Sequence, residues 1–169
     1  LYANTRNNPI EDMESHLPLR VTRYEMRENA LAPGRWRGGI GSVREFTYLA
    51  DGGFSVEGEG HKYRPWGFAG GADGHTGALL LLTAAGEHQE LVSKVPHRKA
   101  RAGDRLVAFG PSGGGYGDPL ARDPLAVLDD VLDGYVTADV ARRHYAVVIA
   151  DGRLDAAATA ALRAGRRVG

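Results

Sequence analysis

The chain has 169 residues, 21 Lys+Arg against 21 Asp+Glu, 24 glycines and no cysteine. The charge balance removes the global positive field on which non-specific nucleic-acid binding depends. The lack of cysteine excludes a disulfide framework, a Cys-based zinc site and a thiol nucleophile, and it fits a reducing cytoplasm.

This length suits one domain, or one domain with a short appendage, and a folded chain of this size buries roughly 70% of its unfolded surface. The longest apolar run, "ALLLLTAA" at 78–85, is too short to span a bilayer, so no membrane partner is expected. Glycine stands at about twice its usual share of about 7%. The basic residues are nearly all arginine, with lysine only at 62, 94 and 99. That bias is what a GC-rich genome produces; arginine is also the better fork for carboxylates and phosphates.

Residues 1–18 are polar and punctuated by Pro9 and Pro18, an entry segment with one short helix, "IEDMESH", starting after Pro9. Residues 19–28 are rich in β-formers and read as a strand. "NALAPGRWRGGIG" (29–41) is loop. "SVREFTYLA" alternates Val43, Glu45, Thr47 and Leu49 against Arg44, Phe46 and Tyr48, a strand. "DGG" (51–53) is a hairpin signal, with "FSVEGEG" (54–60) as the returning strand. After a second glycine-rich loop at 65–77, "ALLLLT", "ELVSKV" (90–95) and "DRLVAFG" (104–110) read as three more strands. Strand after strand with no convincing helix between them predicts an antiparallel sandwich or barrel-like core across 19–118.

From 119 to 169 the pattern is helical. Asp123 is placed to cap a helix with Pro124 at its first position and Gly134 at its end; Leu128, Val131, Leu132 and Tyr135 would give it an apolar face. Thr137 is placed to cap "ADVARRHY", "AVVIA" (146–150) reads as a short strand, and Asp155 is placed to cap an Ala-rich helix through Arg163. The fold class is α+β, a β-rich core with C-terminal helices.

Three stretches carry candidate chemistry. "GPSGGGYGDP" (110–119) looks like a phosphate-cradling loop, but a P-loop needs Lys and Ser/Thr after its glycines and here Asp118 and Pro119 follow. Its backbone could still form an anion nest, or come close to another backbone, or simply turn. On the close-approach reading the glycines face other protein, and Gly114→Val should spare the fold while impairing assembly or turnover. "PGRWRGGIG" (33–41) places Arg35 and Arg37 around Trp36, either a clamp for an anionic group or a hairpin whose Trp packs on the sheet. "NTRNNPIE" (4–11) is densely polar, either a cluster that orients a polar substrate or a set of Asx turns and caps. Histidines 16, 61, 75, 88, 97 and 144 have neither HxH nor HExxH spacing, so no metal is expected within this chain, and no GxSxG elbow is present.

In order, "NTRNNPIEDMESHLPLRVTRYEMRE", "PGRWRGGIGSVREF", "GEGHKYRPWGFAGG", "AGDRLVAFGPSGGGYGDPLARDP" and "DVLDGYVTADVARRHYAVVI" closely resemble the C-terminal part of the hydantoinase B family. That family includes B subunits of ATP-dependent hydantoinases, the matching half of 5-oxoprolinases, and α-type subunits of acetone and acetophenone carboxylases. The resemblance implies the C-terminal domain of a longer B-type subunit, inactive by itself. It implies an A-type partner, actin-like in its ATP site, that holds ATP and Mg, and an upstream part that would hold any divalent metal. The implied chemistry is hydrolysis of a cyclic amide through a phosphorylated carbonyl, with ketone carboxylation as the alternative and a non-catalytic assembly domain as the alternative from another class. On this reading Asn4, Thr5, Asn7 and Glu11 are candidate catalytic residues. Arg35, Arg37, Gly113, Gly114 and Gly115 are candidates for substrate or phosphate binding. Ser112 stands where the family commonly has glycine.

Overall fold

A computed structural model describes residues 7–166. In chain order the elements are α1 (Ile10–His16), β1 (Leu19–Met26), β2 (Ser42–Tyr48), β3 (Gly52–Glu57), β4 (Ala78–Leu82), β5 (His88–Leu91), β6 (Lys94–Ala100) and β7 (Arg105–Phe109). After a 3-10 turn at Pro119–Ala121 come α2 (Pro124–Leu132), α3 (Ala138–Tyr145), β8 (Ile149–Ala150), β9 (Arg153–Leu154) and α4 (Ala156–Arg166). Strands first and helices afterwards give the α+β class expected.

The chain forms two compact units, each assembled from separated stretches. The first takes the residues up to Glu25, Val43–Gly58 and Ala78–Ala108. It is built on a five-stranded sheet in the order β1-β2-β7-β4-β5 and a two-stranded sheet of β3 with β6. β4 and β5 pair antiparallel, Leu79 opposite Leu91 and Leu82 opposite His88. β3 and β6 also pair antiparallel, with an irregularity between Phe54 and Val56. Alternation does the sorting: Leu79 and Leu81 point inward from β4 and join Tyr48, Phe54, Leu91, Val95, Ala100 and Leu106 in one core.

Two strand expectations are corrected here. "DGG" does not close a hairpin, because β3 leaves β2 and pairs with β6. The end of β2 is already occupied: Tyr48 donates its amide to the Asp104 carbonyl at 2.9 Å and accepts from the Gly103 amide at 2.7 Å. "ELVSKV" is not one strand but the junction of two. Leu91 faces Leu79 of β4, Lys94 faces Glu57 of β3, and the chain changes sheet across the exposed Val92 and the half-buried Ser93.

The second unit takes Met26–Ser42, Glu59–Gly77 and everything from Phe109 on. Asp123 caps α2 by accepting from the Leu125 amide at 2.9 Å, with Pro124 at the first helical position. Thr137 caps α3 through the Val140 amide, and Asp155 caps α4 through the Ala158 amide. Leu31, Val127, Val136, Ala141, Tyr145 and Val147 form the core of this unit. The strand expected at 146–150 shrinks to Ile149–Ala150, because Ala146 adopts a left-handed conformation (φ 50°) that ends α3 and Val147 sinks into the core.

Candidate functional site

The glycine stretch lies at the centre of a three-loop cluster in the second unit. Residues 33–39, 65–74 and 112–117 run beside one another and are joined backbone to backbone. Trp36 and Tyr116 form an antiparallel bridge, each donating its amide to the other's carbonyl at 3.0 and 2.9 Å. Phe68 bridges Tyr116 in parallel on the other side: its amide donates to Gly115 O and the Gly117 amide donates to Phe68 O, both at 2.9 Å. The result is a three-stranded ribbon too irregular to be counted among the strands.

Glycine is required for this approach. A Cβ on Gly114 would lie 1.9 Å from the Trp66 carbonyl oxygen, and one on Gly115 would lie 2.2 Å from that of Pro33. Real Cβ contacts essentially never fall under 3.0 Å. The backbone that the glycine run meets is therefore the chain's own, which corrects the expectation that these glycines face other protein. The amides of Gly113 and Gly115 donate to the carbonyls of Gly39 and Ala72 at 2.9 Å each. Spent in this way, and followed by Asp118, they do not fit an ATP phosphate. Ser112 is 1% exposed and locks the loop from below, its Oγ accepting the His75 amide at 2.7 Å while its own amide donates to His75 O.

The outer face of the ribbon is aromatic. Bridge partners project their side chains to one side, so Trp36, Tyr116 and Phe68 stand in a row. The rings of Phe68 and Tyr116 stack with centroids 5.9 Å apart. Trp36 is 62%, Phe68 66%, Tyr116 52% and Trp66 79% exposed. Single exposed aromatics are ordinary; a contiguous row is not. Trp36 does not pack on the sheet, as the hairpin reading had it. The row was missed in the sequence because its members are 32 and 48 residues apart; the signal was an aromatic beside the glycines of each loop.

The two candidate arginines part company. Arg35 is exposed, its guanidinium 5.8 Å from the Trp36 ring centroid. Arg37 turns inward: its Nε donates to Asp130 Oδ1 at 2.8 Å and it lies over the Tyr135 ring. Asp130, 4% exposed, also accepts from Arg122 Nη2 at 2.9 Å. Nearby, Arg27 Nη1 donates to the carbonyls of Thr76 and Gly110, and burial lowers its pKa.

In the first unit, Asn7 reaches the phenol of Tyr24, donating at 2.6 Å, and Arg44 donates to the same oxygen at 2.8 Å with its guanidinium over the Tyr24 ring. With Ile10, Met13 and Phe46 they line a cleft of about 260 Å³. Glu11 is exposed in the first turn of α1. Asn4 and Thr5 lie outside the described residues. Tyr24 and Arg44 were not singled out by the sequence; only their place on adjacent strands joins them to Asn7. Among the described residues no three His, Asp or Glu side chains gather into a metal site, and no helix is long and apolar enough to cross a membrane.

The glycine-locked loop cluster with its aromatic outer face is set in an α+β chain. The Hydantoinase B/oxoprolinase family model matches residues 1–119, and the chain belongs to that family. It is 58% identical over 152 residues to a protein of Pseudomonas sp. (strain NS671) that carries the name of a D-/L-hydantoinase B chain, covering 89% of this chain and 26% of that protein. It is 37% identical over 161 residues to the beta chain of the caprolactamase of Pseudomonas jessenii, covering 92% of this chain and 28% of that one. The chain thus spans about a quarter of the length of these relatives. Among solved structures it superposes on the ATP-dependent caprolactamase of Pseudomonas jessenii with a TM-score of 0.79 and 32% identity, over 94% of this chain and 28% of that one. A nucleotide-free acetone carboxylase, 24% identical, shares the fold with a TM-score of 0.79 over 95% of this chain and 26% of that one.

Proposed function

We propose that this chain supplies the C-terminal portion of the B-type subunit of an ATP-dependent cyclic-amide hydrolase, acting in the cytoplasm with an A-type partner. The observation that carries the reading is the 58% identity to a hydantoinase of the B type over nearly the whole chain. The likeness to a caprolactamase, in sequence and in structure, supports it. The chemistry is coherent. An amide oxygen is a poor leaving group, and phosphorylation at the expense of ATP makes the carbonyl carbon open to water once positive charge and N–H donors stabilise the transferred group. ATP and Mg belong to the A-type partner on this reading. The chain's own glycine loop acts as scaffold, since the amides of Gly113, Gly115 and Gly117 are committed to neighbouring carbonyls. Arg35, exposed beside the aromatic row, is the residue of this cluster placed to meet an anionic group.

Ketone carboxylation ranks second, because the carboxylase likeness is one of fold. The two readings separate in one assay. The B-type polypeptide carrying this segment is purified with its A-type partner and given ATP with hydantoin, caprolactam or 5-oxoproline, or with acetone and bicarbonate. Ring opening coupled to ADP release is the expected result. Carboxylation of the ketone without ring opening of any cyclic amide would reverse the order of the two readings.

A further inference from the structure

We propose that the aromatic row Trp36–Tyr116–Phe68, with Trp66 beside it, is the docking face for the remaining part of the B-type polypeptide. The inference rests on the reading above and extends it to a particular surface. The row is rigid by construction: Trp36, Tyr116 and Phe68 are fixed to one another by four backbone hydrogen bonds, and glycines behind them let three backbones meet without intervening side chains. Aromatic side chains held in this way lose little freedom on binding, and Trp and Tyr are the residue types that dominate interface energetics. Three of the charged groups around the row are engaged locally, while Arg35 and Arg64 are exposed. Asp73 accepts the Gly67 amide, Asp118 accepts the Leu120 amide, and Arg37 is paired with Asp130. Such a face matches the apolar centre of a permanent interface rather than a transient one.

The choice of occupant follows from the relatives. In the hydantoinase and caprolactamase relatives this segment is 26% and 28% of one polypeptide. Roughly three quarters of each such polypeptide is therefore tethered to this module, at the high effective concentration that a covalent link provides. A second copy or the A-type partner would have to compete with that tethered chain.

The test places a photo-activated benzophenone amino acid at Phe68, and separately at Trp66, in the B-type polypeptide carrying this segment, assembled with its A-type partner. Both positions are more than 60% exposed, so the substitution leaves the core untouched. After irradiation, cross-linked peptides are mapped by mass spectrometry. Cross-links from both positions into the upstream part of the same polypeptide are expected. Cross-links only to a second copy or to the A-type partner, or none above the level of an exposed control at Arg142, would overturn the assignment. Because the readout is a covalent map, the docking assignment can fail while ring-opening activity is intact, and activity can be absent while the map is as expected.

Discussion

Tyr145 is fully buried, yet its hydroxyl completes no hydrogen bond among the described residues; the Gly34 backbone approaches it without doing so. Burial pushes its pKa up to about 12, and Asp130 adds to this while Arg122 and Arg37 oppose it. A buried polar atom without a partner carries a desolvation cost of about 1–3 kcal/mol. Tyr145→Phe, which removes only that atom, is therefore expected to leave the urea midpoint unchanged or raise it; a loss of more than about 1 kcal/mol would show that the hydroxyl has a partner after all. Asp130 presents the opposite case. Its carboxylate answers two guanidinium groups, one of them, Arg122, only 11% exposed. Asp130→Ala strands both, and breaking a buried pair by removing one partner costs about 3–5 kcal/mol, read by the same denaturation. Gly114→Val is expected to unfold the loop cluster itself, since even a methyl group would overlap the Trp66 carbonyl. Loss of the exposed-tryptophan emission in the isolated chain would report it, and a variant with unaltered emission and stability would contradict the ribbon geometry.

At the level of elements, what was legible in the sequence is what is local. The caps at Asp123, Thr137 and Asp155, and the helix after Pro9, need only their own neighbours, and all are present. Strands with period-two burial, such as Leu79 and Leu81 in β4, also stand where expected. What was not legible is partner choice. Whether "DGG" turns β3 back on β2 depends on Gly103 and Asp104, fifty residues away. The same holds for the apolar face of α2: Leu132 is exposed and Val127 and Asp130 are buried instead, because Arg37 and Arg122 draw the helix inward through Asp130. Of the site, glycine content and Arg35 were visible, but the aromatic row exists only when three loops meet. Asp104 is the clearest test of such long-range ties. Asp104 is 6% exposed, and its carboxylate accepts the amides of Ala84, two residues past β4, and Arg101, the residue after β6. Asp104→Ala leaves both amides without a partner, and about 2–3 kcal/mol of stability should go with them, measured by thermal or urea unfolding.

Considered as a whole molecule, the chain divides its reporters unevenly. Both of its tryptophans, Trp36 and Trp66, belong to the second unit, so tryptophan emission follows that unit alone. His75 and His144 belong to it too. Burial lowers the pKa of His75, and Arg27, Arg64 and His144 lower it further. Burial lowers that of His144 likewise, with Arg143 and Arg166 adding to it. An unfolded histidine takes up its proton near pH 6.5, whereas these two resist it in the fold. Below that pH the unfolded chain binds more protons than the folded one, so stability rises with pH across this window. The stability that neutral imidazoles allow is thus fully present above about pH 6.5 and is lost as the pH falls through the two lowered values. The tryptophan-monitored unfolding midpoint is expected to drop between pH 7.5 and 5.5, ahead of the range in which carboxylates titrate. Replacing both histidines by glutamine should flatten that dependence while leaving the midpoint at pH 7.5 nearly unchanged. A midpoint that is level or higher at pH 5.5 in the unaltered chain, or a slope that survives both substitutions, would show that the guanidinium groups around these imidazoles are too well screened by water to oppose their protonation.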